Sequence, residues 1–358
     1  MKVSMQQIAD RLGVSKYSVS KALSGKPGVS METRLQVIEA AKAMGYRWKQ
    51  KKASGGSEAS GDPIAPNKRN KKPAHEAADS QPFIFVLIDA SKLNEVYFWN
   101  RVLAGIISGC NEIGWKHLMI TNSGEDTAFI FPAYADRSAC AGIVVIGDVP
   151  ASYLLSLKKL GIPIILTDHE EPLSGLDCVV NSNFEAAREL CKRIIASGSR
   201  SILFIGSDHH SVSFTQRWWG CQNAVFEENQ AAKKQLALRK WNLPSKYERW
   251  LPVLEEKIAG LQQEMLPDAI VCANDEIAFD LLNLLQKYQF AVPRDCKVVG
   301  FDNTDKAAHS IPPLTTVDLG KEMLGYRAIE ALQRRILKPG TPTEKILLAY
   351  RLVERESG

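Results

Sequence analysis

Apolar positions in the first 46 residues recur at helical spacing in three short runs. Met5, Ile8, Ala9 and Leu12 fall at i, i+3, i+4 and i+7, which is one face of a helix. Ser4 stands where an N-cap is needed, Gln7 three residues on completes a capping box, and Gly13 closes the helix. Ser15 is placed to cap a second helix, with Val19, Ala22 and Leu23 inward and Lys16, Tyr17, Ser20, Lys21 and Ser24 on the other side. Ser30 caps a third, carrying Leu35, Val37, Ile38, Ala41 and Met44 and ending at Gly45. The pattern predicts a three-helix head around a small core, with one helix left polar on its outer side.

The periodicity then vanishes. From 49 to 81 the chain is rich in Gly, Ser, Pro, Ala and charge, with Ile64 its single large aliphatic. Such a stretch buries too little surface to offset its ordering entropy, so it reads as a flexible linker. Beyond it, apolar strands alternate with amphipathic helices, the mark of a parallel α/β sheet. Strands are expected at 83–88, 118–121, 142–146, 162–167 and 178–180, with helices at 99–112 and 151–160. The alternation restarts with helices at 184–196, 217–228, 247–263 and 276–288 and strands at 202–205, 235–238, 269–272 and 297–300. A last helix at 321–337 and a strand at 346–353 follow. Two successive doubly wound units imply two lobes, and open α/β sheets bind ligands at the carboxyl ends of their strands.

Charge sharpens the division. Of the 358 residues, 1–52 hold 11 Lys and Arg against 3 Asp and Glu, whereas 83–358 hold 30 against 33. A basic head on a mildly acidic body fits one end bound to a polyanion, since phosphate neutralisation supplies most non-specific affinity for nucleic acid. A solvated basic surface is the bland alternative. The seven cysteines are scattered, without a C-x-x-C pair, and read as reduced core thiols of a cytosolic protein. The first residues do not form a signal peptide, and no apolar run nears the roughly 20 residues that span a bilayer. The expected location is the cytoplasm.

At this point a resemblance becomes specific. Ile8-Ala9, Gly13-Val14-Ser15, Ser18-Val19-Ser20-Lys21, Leu23, Val29-Ser30, Thr33-Arg34 and Gly45-Tyr46 resemble the head of the lactose-repressor (LacI) family. The resemblance implies a helix-turn-helix whose segment 16–23 enters the DNA major groove, where base edges are distinguishable. It makes Lys16, Tyr17 and Lys21 the base-reading side chains. It makes Ser15, Ser18, Ser20, Ser30, Thr33 and Tyr46 phosphate contacts and helix caps. Ser18 stands where the family usually has Thr, and Lys21 where it has Arg; Lys lacks Arg's planar two-pronged bond. The family's hinge helix places a Leu in the minor groove, an apolar wedge that kinks the duplex. No Leu occurs here between Met44 and Phe83.

The body carries the same resemblance in Tyr97-Phe98-Trp99 with Leu103-Ala104-Gly105-Ile106, Arg217 with Gly220, Cys272-Ala273-Asn274-Asp275, Val298-Val299-Gly300-Phe301-Asp302 and Ile311-Pro312-Pro313-Leu314-Thr315-Thr316-Val317. It implies an α-helical helix-turn-helix head (1–49), a linker (50–81) and a two-lobed α/β, periplasmic-binding-protein-like effector domain (82–358). Lobe 1 would take about 82–181 and 318–341, lobe 2 about 182–317 and 342–358, joined by three crossings that form a hinge. Arg217, Asn274 and Asp302 resemble effector-contacting positions, although Asn274 and Asp302 also suit a helix cap and a turn. Phe98 and Trp241, with Trp218 and Trp219, are candidate stacking surfaces for a sugar ring.

Other chemistry finds little support. Asp208-His209-His210 and Asp168-His169-Glu170-Glu171 look like metal clusters, but adjacent residues seldom converge on one ion. Phosphate-cradling glycine loops and a nucleophile elbow are absent from the sequence, so neither a cofactor nor an enzymatic role is expected. The chain closes without a leucine heptad tail, which favours a dimer over a tetramer. The expectation is a repressor bound to a pseudo-palindromic double-stranded DNA operator and controlled by a small molecule, a sugar or related metabolite. A cytosolic sugar-binding module with a protein-contacting head is the alternative, and salt dependence separates the two.

Overall fold

The computed structural model describes residues 4–24, the single positions 33, 36, 37, 40, 41, 44 and 46, and residues 81–358 apart from 124–125, 208–210, 233–234, 245–248 and 262–265. The expected linker at 50–81 (Gln81 excepted), Ser30, Leu35, Ile38 and Gly45 of the third head helix, and Asp208-His209-His210 lie outside these residues.

The head and body form separate units. In the head, α1 (Met5–Leu12) carries the complete Ser4–Gln7 capping box and ends on left-handed Gly13 at φ 66°. Helix α2 (Lys16–Ser24) starts with the Ser15 hydroxyl accepting the Ser18 backbone N–H at 3.0 Å. Ile8, Ala9, Val19, Val37 and Ala41 are buried together, with Met5, Leu12, Met44 and Tyr46 packed around them.

The body contains two parallel sheets. The first has strand order β11-β5-β4-β3-β1-β2. Its members are β1 (Phe83–Asp89), β2 (Lys116–Asn122), β3 (Cys140–Ile146), β4 (Ile164–Thr167), β5 (Asp177–Asn181) and β11 (Lys345–Leu348). The second has order β7-β6-β8-β9, from β6 (Ser201–Gly206), β7 (Ala237–Asn242), β8 (Ala269–Cys272) and β9 (Lys297–Val299). Strands β10 (Thr316–Asp318) and β12 (Arg351–Val353) pair antiparallel beside the second sheet, with Thr315 bridging Val299.

Strand alternation sorts the first lobe into two cores. Ile84, Val86, Ile88, Val144 and Ile165 face α3 (Val96–Ile113) and α9 (Lys321–Leu337). Phe85, Leu87, Ile143, Val145 and Leu166 face α4 (Ala151–Lys158) and the loop residues Phe129 and Phe131. No α-helix lies between β2 and β3 among the described residues; these two rings cover the sheet in its stead, edge-on to Phe85 at 5.8 and 5.2 Å. The second lobe has one core, built by its strands with α5 (Asn183–Ala196), α6 (Val212–Ala232), α7 (Trp250–Gly260) and α8 (Asp275–Lys287).

Most expected elements recur within a few residues. One boundary is corrected. The segment after 341, expected in the second lobe, first adds β11 to the edge of the first sheet, pairing Lys345–Leu348 with β5, and the chain crosses over only at 349–350. Arg335 holds that detour: its guanidinium donates twice to the buried Asp177 carboxylate, at 2.6 Å each, and also to the Thr341 and Pro342 carbonyls. The single strand expected at 346–353 is therefore two strands in two sheets. Among the described residues no helix is long and apolar enough to cross a membrane.

Helices α3 and α9 cross almost backbone to backbone. A Cβ at Gly105 would lie 1.9 Å from the Glu322 carbonyl oxygen, and one at Gly325 would lie 2.0 Å from that of Val102. Gly105→Ala and Gly325→Ala should each force the helices apart and destabilise the body by about 1–3 kcal/mol or more. Gly260→Ala, which meets open space, should be neutral to stabilising, because Gly in a helix is entropically unfavourable. Urea unfolding midpoints of the three variants check this.

Candidate functional site

The head presents a row of polar side chains over its core. Val19 turns inward and is fully buried, while Lys16, Tyr17 and Ser20 on α2 face solvent, Tyr17 with 69% of its surface exposed. The Lys21 ammonium lies 4.6 Å from the centre of the Tyr17 ring, which gathers both onto one patch. Ser15 and Ser18 share a 2.9 Å hydroxyl hydrogen bond at the start of the helix. Thr33 is half-buried, and Tyr46 packs on the head core. Ser30 lies outside the described residues, as do the side chains of Ala22 and Leu23. A helix N-terminus with Lys16 beside it is a favourable place for a phosphate, through its unpaired N–H groups and its dipole.

The body's candidate site is a pocket between the lobes, at the carboxyl ends of both sheets. Lobe 2 brings Arg217, Asn274 and Asp302 together there, and lobe 1 brings Phe98. Arg217 projects from α6 and is 3% exposed. Its Nε donates to the Asn183 side-chain oxygen at 2.9 Å, its Nη1 to the Ala273 carbonyl at 2.5 Å, and its Nη2 lies 3.4 Å from an Asp302 carboxylate oxygen. Asp302 takes φ 106°, a costly conformation for a residue with a Cβ. Asn274 performs the capping role that the sequence allows, its side-chain oxygen accepting from the Ile277 N–H at 3.0 Å. It also lines the pocket.

The aromatic candidates divide. Trp241 is not among the pocket's lining residues; it packs on the lobe 2 core, with the Lys257 ammonium 5.4 Å from its ring centre. Trp218 packs against Phe204 at 5.5 Å, and Trp219 is half exposed on α6. Tyr97, Trp99 and Phe214 line the pocket instead. Phe214 sits one turn before Arg217 on α6, a spacing that could have revealed it.

Sequence reasoning also missed two carboxyls, Asp168 after β4 and Glu276 in the first turn of α8. Burial pushes the Asp168 carboxyl up to about 7, against the pull of Arg217, with Asp148 adding to the rise. Burial, then the Glu95 carboxylate, pushes Glu276 up to about 7 as well. Asp168 has a left-handed backbone, φ 56°. Among the described residues no three His, Cys, Asp or Glu side chains come together as metal ligands.

A helix-turn-helix head joined to two doubly wound lobes with a pocket at their strand ends defines a ligand-binding regulator architecture. Residues 4–48 match the family described as bacterial regulatory proteins, lacI family, and residues 191–358 match the periplasmic binding protein-like domain. The HTH-type transcriptional repressor PurR of Vibrio vulnificus (strain CMCP6) is 26% identical over 243 residues, 67% of this chain and 71% of the repressor. The structure of a transcriptional regulator CelR–cellobiose complex superposes with TM-score 0.63 at 22% identity, covering 100% of both chains. The lac repressor dimer bound to operator and the anti-inducer ONPF gives TM-score 0.63 at 19% identity, covering 100% of this chain and 99% of that one. The chain thus combines a head matching the lacI family of bacterial regulatory proteins with a periplasmic binding protein-like body.

The raised Asp168 has a stability consequence. A carboxyl whose folded-state pKa lies above its unfolded value binds more protons in the folded state, so stability falls as pH rises from about 4 through 7. Asp168→Asn should therefore raise the thermal midpoint at pH 8 and leave it near wild type at pH 4. Melts across that range measure the difference.

Proposed function

We propose that this chain is a ligand-responsive transcriptional repressor acting in the cytoplasm as a homodimer, each head binding one half-site of a pseudo-palindromic operator. Residues 1–49 read DNA, 50–81 link, and 82–358 bind the effector. Lys16, Tyr17 and Lys21 contact base edges. Ser15, Ser18, Ser20, Ser30, Thr33 and Tyr46 cap helices and hold phosphates, with the Tyr46 contribution confined to its hydroxyl because its ring packs on the head core.

A sugar or related metabolite enters the interlobe pocket, where Arg217, Asn274 and Asp302 supply polar partners and Phe98 supplies an apolar wall. Closure around it changes the spacing of the two heads. The chain works by binding and not by turnover, a reading supported by the lack of a paired nucleophile and base among the described residues of the pocket. The observation that carries the reading is the patch of exposed Lys16 and Tyr17 with half-buried Lys21 over a packed helix-turn-helix core.

Gel retardation of the full chain and a Lys16/Tyr17/Lys21 triple-alanine variant on an operator selected from random duplexes is the test. Each lost base contact should cost about 1–3 kcal/mol, and losing two cations should flatten the dependence of log affinity on log salt by about 2. Equal specific affinity for both proteins would remove DNA reading from α2.

A further inference from the structure

The pocket's charge is lopsided in a way that bears on what it can hold. Among the described residues its charged lining comprises Lys92 and Arg217 against Glu95, Asp148, Asp168, Glu276 and Asp302. Both cations are already used. Arg217 is tied to Asp302, Asn183 and the Ala273 carbonyl. The Lys92 ammonium lies 4.0 Å from Asp148 and 5.1 Å from the centre of the Trp99 ring. Among the carboxyls, Asp148 also bonds His169 at 2.9 Å, and Glu95 accepts from the Trp99 indole N–H at 3.0 Å. The Asp168 and Glu276 carboxyls accept no hydrogen bond from the described residues. They reach the pocket from opposite lobes, and Glu95 of lobe 1 repels Glu276 of lobe 2 across it.

We propose that the effector carries a protonated amine, as an amino sugar of hexose size does, that the ammonium sits among Asp168, Glu276 and Glu95, and that this positive charge is what lets the lobes close. The proposal rests on the pocket being the effector site and adds the sign of the ligand's charge. Closing the lobes excludes water and brings carboxylates of both lobes together in a less screening medium. A neutral hexose satisfies their lone pairs but leaves the repulsion. A uronic acid or sugar phosphate adds to it. An ammonium removes it and gains further from the faces of Phe98, Trp99 and Phe214. The raised pKa values of Asp168 and Glu276 agree: Asp148, Glu95, Asp302 and Asp280 push up while Arg217, Lys92 and Lys306 pull down, and burial dominates both. A bound cation favours their ionised forms, so binding releases protons, and affinity rises as pH passes upward through about 7.

The experiment is titration calorimetry on the full chain with glucosamine and galactosamine, each beside its parent hexose, its N-acetyl derivative and its uronic acid. At least one amine should bind about tenfold or more tightly than its parent, a 1.4 kcal/mol preference. N-acetylation should abolish that preference, and the uronic acid should bind worst. Glu276→Gln and Asp168→Asn should each draw the amine-to-parent ratio toward one while DNA retardation by the unliganded protein persists. A parent hexose or uronic acid binding as tightly as its amine overturns the charge inference and leaves the pocket as the effector site. No heat from any of these compounds, in protein that still retards DNA, overturns the inference and removes sugars from the pocket together.

Discussion

One buried guanidinium organises the ligand-facing side of lobe 2. Arg217 bonds the start of α5 through Asn183, the end of β8 through the Ala273 carbonyl, and the segment after β9 through Asp302. Its plane lies over Phe301, 4.7 Å from the ring centre, and near Phe214 at 5.7 Å. A buried cation is tolerated only where its donors are satisfied, so these elements hold a common geometry or the charge is stranded. Asp302 is fixed in consequence. Its N–H bonds the Val317 carbonyl, its own carbonyl accepts from the buried Lys321 ammonium, and its carboxylate meets Arg217. An unfavourable φ persists where its surroundings over-determine it.

The same region meets the interlobe crossing. Asp275, fully buried in the first turn of α8, accepts the Thr304 N–H at 2.9 Å and the Thr316 hydroxyl at 2.6 Å. Thr316 begins β10, whose chain continues into α9 of the first lobe. Strand ends that shape the pocket and the segment that leads out of the lobe are thus bonded to one carboxyl. Whatever displaces Asn274 or Asp302 pulls on the connection to lobe 1.

Much of this was legible in the sequence, for identifiable reasons. Helix α9 is legible at 321–337 because its apolar positions repeat at helical spacing. Asn274 and Asp302 were legible because each follows a strand, and doubly wound sheets gather such positions at one edge; Arg217, inside α6, was legible through the family resemblance. Trp241 was not excluded by that logic, since which face of β7 points to the core depends on register with β6. Asp168 and Glu276 stayed hidden because the pocket they line is assembled from different lobes. The β11 detour was likewise invisible: Arg335 and Asp177 lie 158 positions apart, and only folding makes them partners.

The interleaving of the lobes also constrains how the chain matures during translation. The sheet face carrying Ile84, Val86, Val144 and Ile165 is roofed partly by α9, through Leu324, Ala328, Ile329 and Leu332. Its outer edge is completed by β11. Neither element has left the ribosome when the strands of lobe 1 have, so a nascent chain carries a bare aliphatic surface and an open sheet edge while the intervening second lobe is synthesised. Such surfaces are where aggregation starts and where chaperones engage. The lobe begun first is completed only after nearly all of its neighbour has been made.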